Sequence, residues 1–485
     1  VERLLVVAHL LGSLLMLFSL VYAVPIVWSL HAADGMVFAF GASFAACLGA
    51  GLAMWLATRR FRRELQPRDG ALLVVLVWFV LSLAAAPPIL AARPELSLVE
   101  AVFEAVSALT TTGATVITGL EHLPQSVNLW RHLLQWLGGM GLIVLAVAVL
   151  PLLGVGGMQL FKAETPGPMK EGKLTPRITQ TAKYLWFIYL VLTLACFAGL
   201  RLAGMDSFEA LCHAFSTVAN GGFSTRDASV AAFDSVLIEL VMVFFMLICA
   251  INFASHFLML RGRSLSAYGR DIETVPMLVL IAASVIGLSV LLRIEGVYAT
   301  TPEALRHALF NTVSVATSAG FSSQDYSAWP ILAPVWMLFL ACVASSAGST
   351  GGGIKMVRAL ILIKQAGREL GRLAHPRAVL LLTLKGARVD NQVIFAVLSF
   401  MLLWGATHLV LTFILLLTGL DFGSALALVV ASVNNLGPAL GEYGPAGNFA
   451  SLSDFQTLLL GLAMIAGRLE LMTFFVVLMP AFWRR

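Results

Sequence analysis

Four short stretches of the chain place small or hydroxyl-bearing residues directly before a glycine. They are Thr110, Thr111, Thr112 and Gly113; Ala219, Asn220, Gly221 and Gly222; Thr317, Ser318, Ala319 and Gly320; and Asn434, Asn435, Leu436 and Gly437. Carbonyl and hydroxyl oxygens in such a loop can replace the hydration shell of a bare cation. Glycine suits the task because turning carbonyls inward needs backbone angles that side-chain-bearing residues resist. The candidate ligands, mainly through their carbonyls, are therefore Thr111, Thr112, Gly113, Asn220, Gly221, Gly222, Ser318, Ala319, Gly320, Asn435, Leu436 and Gly437.

Each loop ends a segment too short to cross a bilayer, and the four segments resemble one another. They read SLVEAVFEAVSALTTTGATVITG from Ser97, SFEALCHAFSTVANGGFSTRD from Ser207, TPEALRHALFNTVSVATSAGFSSQD from Thr301 and DFGSALALVVASVNNLGPALGEYG from Asp421. Their glycines recur at intervals of 98 to 117 residues, a repeat of span, half-length helix, loop and span. Glu100, Glu209, Glu303 and Asp421 sit near the segment starts, where a helix N-terminus favours negative charge, so the negative ends face the loops. Irregular backbone at membrane depth survives only when protein or water covers it. Four such loops are expected to face one another as a selectivity filter built from one chain.

The elements that hold these loops follow from composition. Of 485 residues, 59% are hydrophobic and 12% charged, about half the charge of a soluble protein. Apolar runs near 4–30, 36–57, 71–92, 127–153, 180–204, 232–260, 275–294, 330–363, 390–418 and 453–482 predict about ten spans. One face, comprising Arg3, the linkers 58–70, 154–183, 261–273 and 355–390, and the C-terminal arginines, carries 24 of the 31 Lys and Arg and 9 of the 26 acids, a net charge of +15. The positive-inside rule makes it cytoplasmic, with both termini there. The opposite face is expected to be −10 and to concentrate cations. Without an aromatic-interleaved basic groove, the positive balance points to membrane orientation and not to nucleic acid. The five cysteines lack metal-knuckle or redox spacing and read as buried thiols. His213 and His307, on the short segments, read as packed or capping residues.

Two further features fall below the loops. Ala341 to Lys355, ACVASSAGSTGGGIK, interrupts the eighth span with a run that helix propensity disfavours by about 1 kcal/mol per glycine. An unwound, mobile stretch is expected there. It is not a phosphate loop, because Ile354 stands where that motif requires lysine. Arg468 lies deep in the last span, and burying its charge demands partners. Glu470, two residues on, would diverge from it on a helix.

These loops, together with PLLGVGGMQLFKAETPGP from Pro151, SSAGSTGGGIKMVRAL from Ser345, LAHPRAV from Leu373, VNNLGPALGE from Val433 and GRLELMTFFVVLMPAFWR from Gly467, resemble the TrkH family. Its members are the membrane subunits of bacterial Trk potassium uptake systems, within the Trk/Ktr/HKT superfamily. The similarity runs nearly end to end. It implies an all-α polytopic membrane protein with four repeats of membrane helix, pore helix and membrane helix around a pseudo-fourfold pore, preceded by two extra helices. The units are then 1–70 for the N-terminal pair, and 71–160, 161–270, 271–385 and 386–485 for the repeats. The resemblance implies potassium as the transported ion, the bacterial inner membrane and its lipids as surroundings, a homodimer, and a cytosolic TrkA-type nucleotide-binding subunit. It matches the four glycines to filter glycines and Arg468 to an arginine below them. It makes Ala344, Ser345, Ser346, Ala347, Gly348, Ser349, Thr350, Gly351, Gly352 and Gly353 an intramembrane gating loop. The fourth loop departs from a T-x-G pattern, which suggests less stringent potassium selection.

Potassium uptake is thus the leading reading. Proton- or sodium-coupled symport is the alternative, although no intramembrane Asp or His stands out along the pore segments. A membrane-embedded enzyme would need clustered His, Asp or Glu on facing spans, whereas the acids here gather at pore-helix starts and outer loops. On the cytoplasmic face, Lys162, Arg368, Arg372 and Arg377 are candidates for partner docking.

Overall fold

The computed structural model describes residues 2–61, 66–141 and 178–484. Among them, Arg3–Ala32, Val37–Thr58, Arg68–Ala92, Ala182–Leu202, Thr274–Ile294 and Asn391–Leu417 are helices long and apolar enough to cross a membrane. Two more candidates are bent pairs, Val236–Ala250 with Phe253–Gly262 at 92° and Asp454–Arg468 with Met472–Leu478 at 113°. The first two helices pack tightly where a Cβ on Gly12 or Gly51 would approach the opposite backbone within 2.9 Å, the close crossing that small residues permit.

Four shorter helices, Leu98–Leu109, Ser207–Ala219, Thr301–Ala316 and Phe422–Val433, carry the repeated segments. At 1.5 Å per residue, about 12 residues reach little more than half of a 30 Å hydrocarbon core. Their starts are side-chain capped. Ser97 and Glu100 form a reciprocal capping box, and Asp206, Thr300 and Asp421 each accept a backbone N–H of the first turn. These bonds hold the Asp206 and Asp421 carboxyls below the ordinary aspartate range.

Three of the expected spans are interrupted: the eighth, as its glycine-rich run predicts, and two expected to be continuous, 232–260 and 453–482. The helices Val236–Ala250, Leu332–Val343 and Asp454–Arg468 all stop partway, whereas only the run after Ala341 carried a glycine signal. The breaks at Ile251–Asn252 and Leu469–Leu471 contain neither glycine nor proline. The fourth counterpart, Gln125–Gly139, is buried along nearly its whole length, and the remainder of the run expected at 127–153 lies outside the described residues. The segment from Pro151 and Lys162 lie there too. After the break at 344–355, the chain resumes as the amphipathic helix Met356–Ala374, followed by a small hairpin pairing Thr383–Leu384 with Ala387–Arg388. All five cysteines are free and buried.

Candidate ion pathway

The four short helices end in one shared backbone form. Thr111, Asn220, Ser318 and Asn435 adopt left-handed φ values of 57°, 50°, 56° and 53°. The next N–H, of Thr112, Gly221, Ala319 or Leu436, then reaches back to the carbonyl of Ser107, Ser216, Ser314 or Ala431 at 2.8 to 2.9 Å. This is a Schellman closure, which satisfies carbonyls that a helix end leaves open. The signal missed in the sequence was that two positive-φ residues are needed per loop, the second being the glycine, with φ of 83°, 79°, 82° and 95° at Gly113, Gly222, Gly320 and Gly437.

The glycines also close a ring. A Cβ on Gly113 would strike the Gly221 carbonyl oxygen, one on Gly222 that of Ala319, and one on Gly320 that of Leu436. A Cβ on Gly437 would come within 2.6 Å of the Thr112 oxygen. Each loop therefore rests its glycine against the carbonyl before the next loop's glycine, and the fourth returns to the first. All four glycines line one cleft.

Side chains brace the loops unequally from behind. Nine residues before each glycine stand Glu104, His213, Asn311 and Leu428. Glu104 is fully buried, accepts Val116 N–H at 3.1 Å, and pairs with buried Arg131 at 2.7 Å. The Arg131 guanidinium in turn covers the ring of Phe223 at 4.1 Å, joining the first loop to the second. His213 meets Ser224 Oγ at 3.0 Å, and Asn311 Oδ1 accepts Ser323 N–H at 3.1 Å. His307 also meets Ser323 Oγ, at 3.1 Å, so both histidines are packed residues. Ser107 and Ser314 bond the carbonyls of Ala114 and Phe321, but the fourth repeat has Ala431 and Leu428 at the corresponding places.

Gln135 was also not legible as a site residue. It accepts Ser216 Oγ–H at 2.7 Å and Phe223 N–H at 3.2 Å, and donates to the Gly221 carbonyl at 2.6 Å. That carbonyl is thereby turned toward the packing side. Glu104 and Arg131 thus cancel one another in the interior.

Below the ring, the residues from Ala344 to Gly353 cross directly under the loops. Gly352 donates to Ser318 Oγ at 2.6 Å, and Thr350 Oγ1 accepts from Asn220 Nδ2 at 3.0 Å. A Cβ on Gly352 would collide with the Asn434 carbonyl, and one on Gly351 would lie 2.9 Å from the Thr317 oxygen. The same segment answers the open carbonyls of the interrupted helices. Ser346 N–H bonds Ala250 at 3.2 Å, Thr350 N–H bonds Cys249 at 3.3 Å, and Ile354 N–H bonds Cys342 at 2.6 Å. Arg468 completes the set, donating to Gly138 at 2.5 Å, to Gly139 at 3.2 Å and to Thr350 at 3.2 Å. Two of the half-buried arginine's partners, Gly138 and Gly139, are thus helix-end carbonyls, as the negative end of a helix would favour. Glu470, with φ of 58°, turns away to pair with Arg358.

Arg368, Arg372 and Arg377 converge with Arg388 around one groove beside the hairpin. Among the described residues, no three His, Cys, Asp or Glu gather as a metal-binding group.

The family model for TrkH, described as cation transport protein, matches residues 36–484. The Trk system potassium uptake protein TrkH of Halomonas elongata is 46% identical over 99% of both chains, and that of Escherichia coli K12 is 44% identical over the same share of each. The crystal structure of the potassium transporter TrkH from Vibrio parahaemolyticus superposes with a TM-score of 0.90 at 42% identity, covering 99% of this chain and 100% of that one. A likeness of this extent in sequence and fold leaves one assignment: the chain belongs to the TrkH family of cation transport proteins.

Proposed function

We propose that this chain conducts potassium into the bacterial cell across the inner membrane, through the ring formed by its four loops. The observation that carries the reading is the closed cycle of glycine-to-carbonyl contacts, which joins four segments of one chain into a single constriction. The relatives' role as potassium uptake proteins supports the choice of ion. On this reading the chain divides into an N-terminal helix pair and four pore repeats. The segment 344–353 and Arg468 form the closure on the inner side, since they occupy the space beneath the loops by direct contact. The strongly basic face is cytoplasmic, and both termini lie there. The resemblance adds a homodimer and a cytosolic TrkA-type subunit, for which the Arg368, Arg372 and Arg377 groove is the docking surface.

The test is ion flux into proteoliposomes holding the purified chain, with and without the partner, under potassium, sodium or proton gradients. Potassium flux that neither a proton nor a sodium gradient can drive identifies a channel. Flux driven by either gradient identifies symport. Deleting several residues within Ser346–Gly352, or replacing Arg468 by Ala, is expected to raise partner-free flux. Each bond to a charged donor contributes roughly 1.5–3 kcal/mol, so Arg468→Ala should do so by about tenfold or more. If both variants reach the membrane folded and dimeric yet conduct no more than the parent, the closure lies elsewhere.

A further inference from the structure

Glu273 ends the basic linker 261–273. It immediately precedes the span Thr274–Ile294 and is buried. Its carboxylate faces the two ends of the interrupted stretch at once. Oε1 accepts Ala347 N–H at 3.0 Å and Val357 N–H at 2.8 Å, and Oε2 accepts Ala347 N–H again at 3.1 Å. Those donors lie ten residues apart, on either side of Thr350, Gly351 and Gly352, the residues that touch the loops of the ring. The backbone bond from Met356 N–H to the Ser345 carbonyl, 2.8 Å, draws the same two ends into a neck. Glu273 fastens that neck to a neighbouring span.

We infer that the Glu273 carboxylate is a latch, a positioning residue that holds the inner segment shut by accepting hydrogen bonds from both ends of its neck. The inference rests on the proposed closure by residues 344–353 and adds to it the group that keeps the closure in place. Charged acceptors make the stronger hydrogen bonds, and a carboxylate is the side chain able to take three N–H contacts without offering a donor in return. The latch is also within reach of the cytoplasmic surface. Lys385 at the hairpin donates to the carbonyls of Gly269 and Asp271 at 2.5 and 2.6 Å, so a partner moving the hairpin would pull on the turn that carries Glu273.

Ionisation of the latch follows from its surroundings. Burial pushes its carboxyl up to about 7, against the two backbone N–H donors, with Asp271 adding to the rise and Lys355 opposing it. The other charges near this neck are Lys385 on the hairpin side, and Arg358 and Glu470 beyond Lys355. Because the shift is upward, the ionised acceptor is present above that pH and is lost as pH falls through it. Protonation would turn an acceptor oxygen into an O–H donor facing an N–H. Acid on the cytoplasmic side should therefore loosen the closure.

The experiment records potassium current in inside-out patches of reconstituted full-length chain, without partner, while bath pH steps from about 8 to about 6, a range that spans the titration. The parent should conduct more at the acid end. Glu273→Gln should conduct about tenfold more than the parent at the alkaline end, the weight of one charge-assisted hydrogen bond, and should lose the pH response. Hydrogen exchange of the peptides holding Ala347 and Val357 should rise on acidification in the parent and be high at both pH values in the variant. A parent-like current and an unchanged pH response in Glu273→Gln would overturn the latch, as would exchange insensitive to pH in the parent. If Glu273→Gln fails to fold, Glu273→Asp, one methylene shorter, supplies the same readouts. The deletion within Ser346–Gly352 is the control. If it opens the pore and Glu273→Gln does not, the latch is wrong and the closure stands; if it too leaves the pore shut, the proposed closure itself is wrong.

Discussion

The ring of loops and the segment beneath it are both irregular backbone buried in the protein, yet they are held by different means. In the ring, backbone packs on backbone around a closed cycle, and each of the four repeats supplies the same two positive-φ residues and the same closing bond. The inner segment comes from one repeat alone. It is fastened by side chains reaching from elsewhere, Asn220, Ser318, Glu273 and Arg468, together with backbone bonds to the open ends of the interrupted helices. A cyclic arrangement cannot lose one contact without disturbing its neighbours, whereas a strap held by a few side chains can be released and replaced. That contrast suits the proposed roles, a constriction that keeps its dimensions and a block that moves.

The largest effect should come from breaking the cycle. A side chain at Gly113 meets the Gly221 carbonyl in a left-handed conformation that costs an L residue about 1–2 kcal/mol before any clash. Gly113→Ser is therefore expected to abolish potassium-dependent growth rescue or raise sodium permeation severalfold in vesicle flux. Gly437 has more room, with 2.6 Å to the nearest oxygen, so Gly437→Ser should be the mildest of the four. Four glycine-to-serine variants with unchanged potassium-to-sodium ratios would remove the ring from the conduction path.

Bracing within the ring is itself uneven, and the next effect in size tests it. The Glu104–Arg131 pair stands behind the first loop, where the fourth has Leu428 in the place of Glu104. Removing one partner of a buried pair costs about 3–5 kcal/mol, while replacing both with apolar residues of similar volume is far less harmful. Glu104→Gln and Arg131→Met should each lower the melting temperature of the purified chain and shift its selectivity. The double variant Glu104→Leu with Arg131→Met should recover much of the stability. Additive losses in the double variant would show that the two residues act separately.

The contrast also explains what the sequence made legible. The half-length helices, their capping acids and the four glycines were visible because local chemistry demands them: Ser97 with Glu100 forms the capping box, and the glycine must sit at positive φ against a carbonyl. The glycine-rich break was visible for the same reason. Thr111 and Ser318 at left-handed φ were not, since neither is a typical residue for that conformation, and only the Schellman closure demands it of them. The bends after Ala250 and Arg468 carry no helix-breaking residue. The open carbonyls at the Ala250 bend are met by Ser346 and Thr350, about 100 positions away, and Arg468 at the other bend answers Gly138 and Gly139, on a helix more than 300 positions away. Glu273, Gln135 and the Glu104–Arg131 pair were hidden likewise, because their partners are loops distant in the chain.

The smallest expected effect lies where the two regions touch, at Ser318. Its backbone belongs to the ring, at the left-handed position of the third loop, while its hydroxyl oxygen accepts Gly352 N–H from the segment below at 2.6 Å. Ser318→Gly separates these roles, because glycine keeps the left-handed backbone without strain and removes only the oxygen. Leaving a buried N–H unanswered costs about 1–3 kcal/mol, and the segment can recover part of that through its bonds to Asn220 and Arg468. Partner-free potassium flux should therefore rise about threefold to tenfold, less than for Arg468→Ala, with the potassium-to-sodium ratio unchanged. A change in the ratio with no change in partner-free flux would place the Ser318 hydroxyl in ion selection and leave the contact with Gly352 without a part in closure. A change in both would mean that the ring yields when the strap is loosened, so that selection and closure share one mechanical unit.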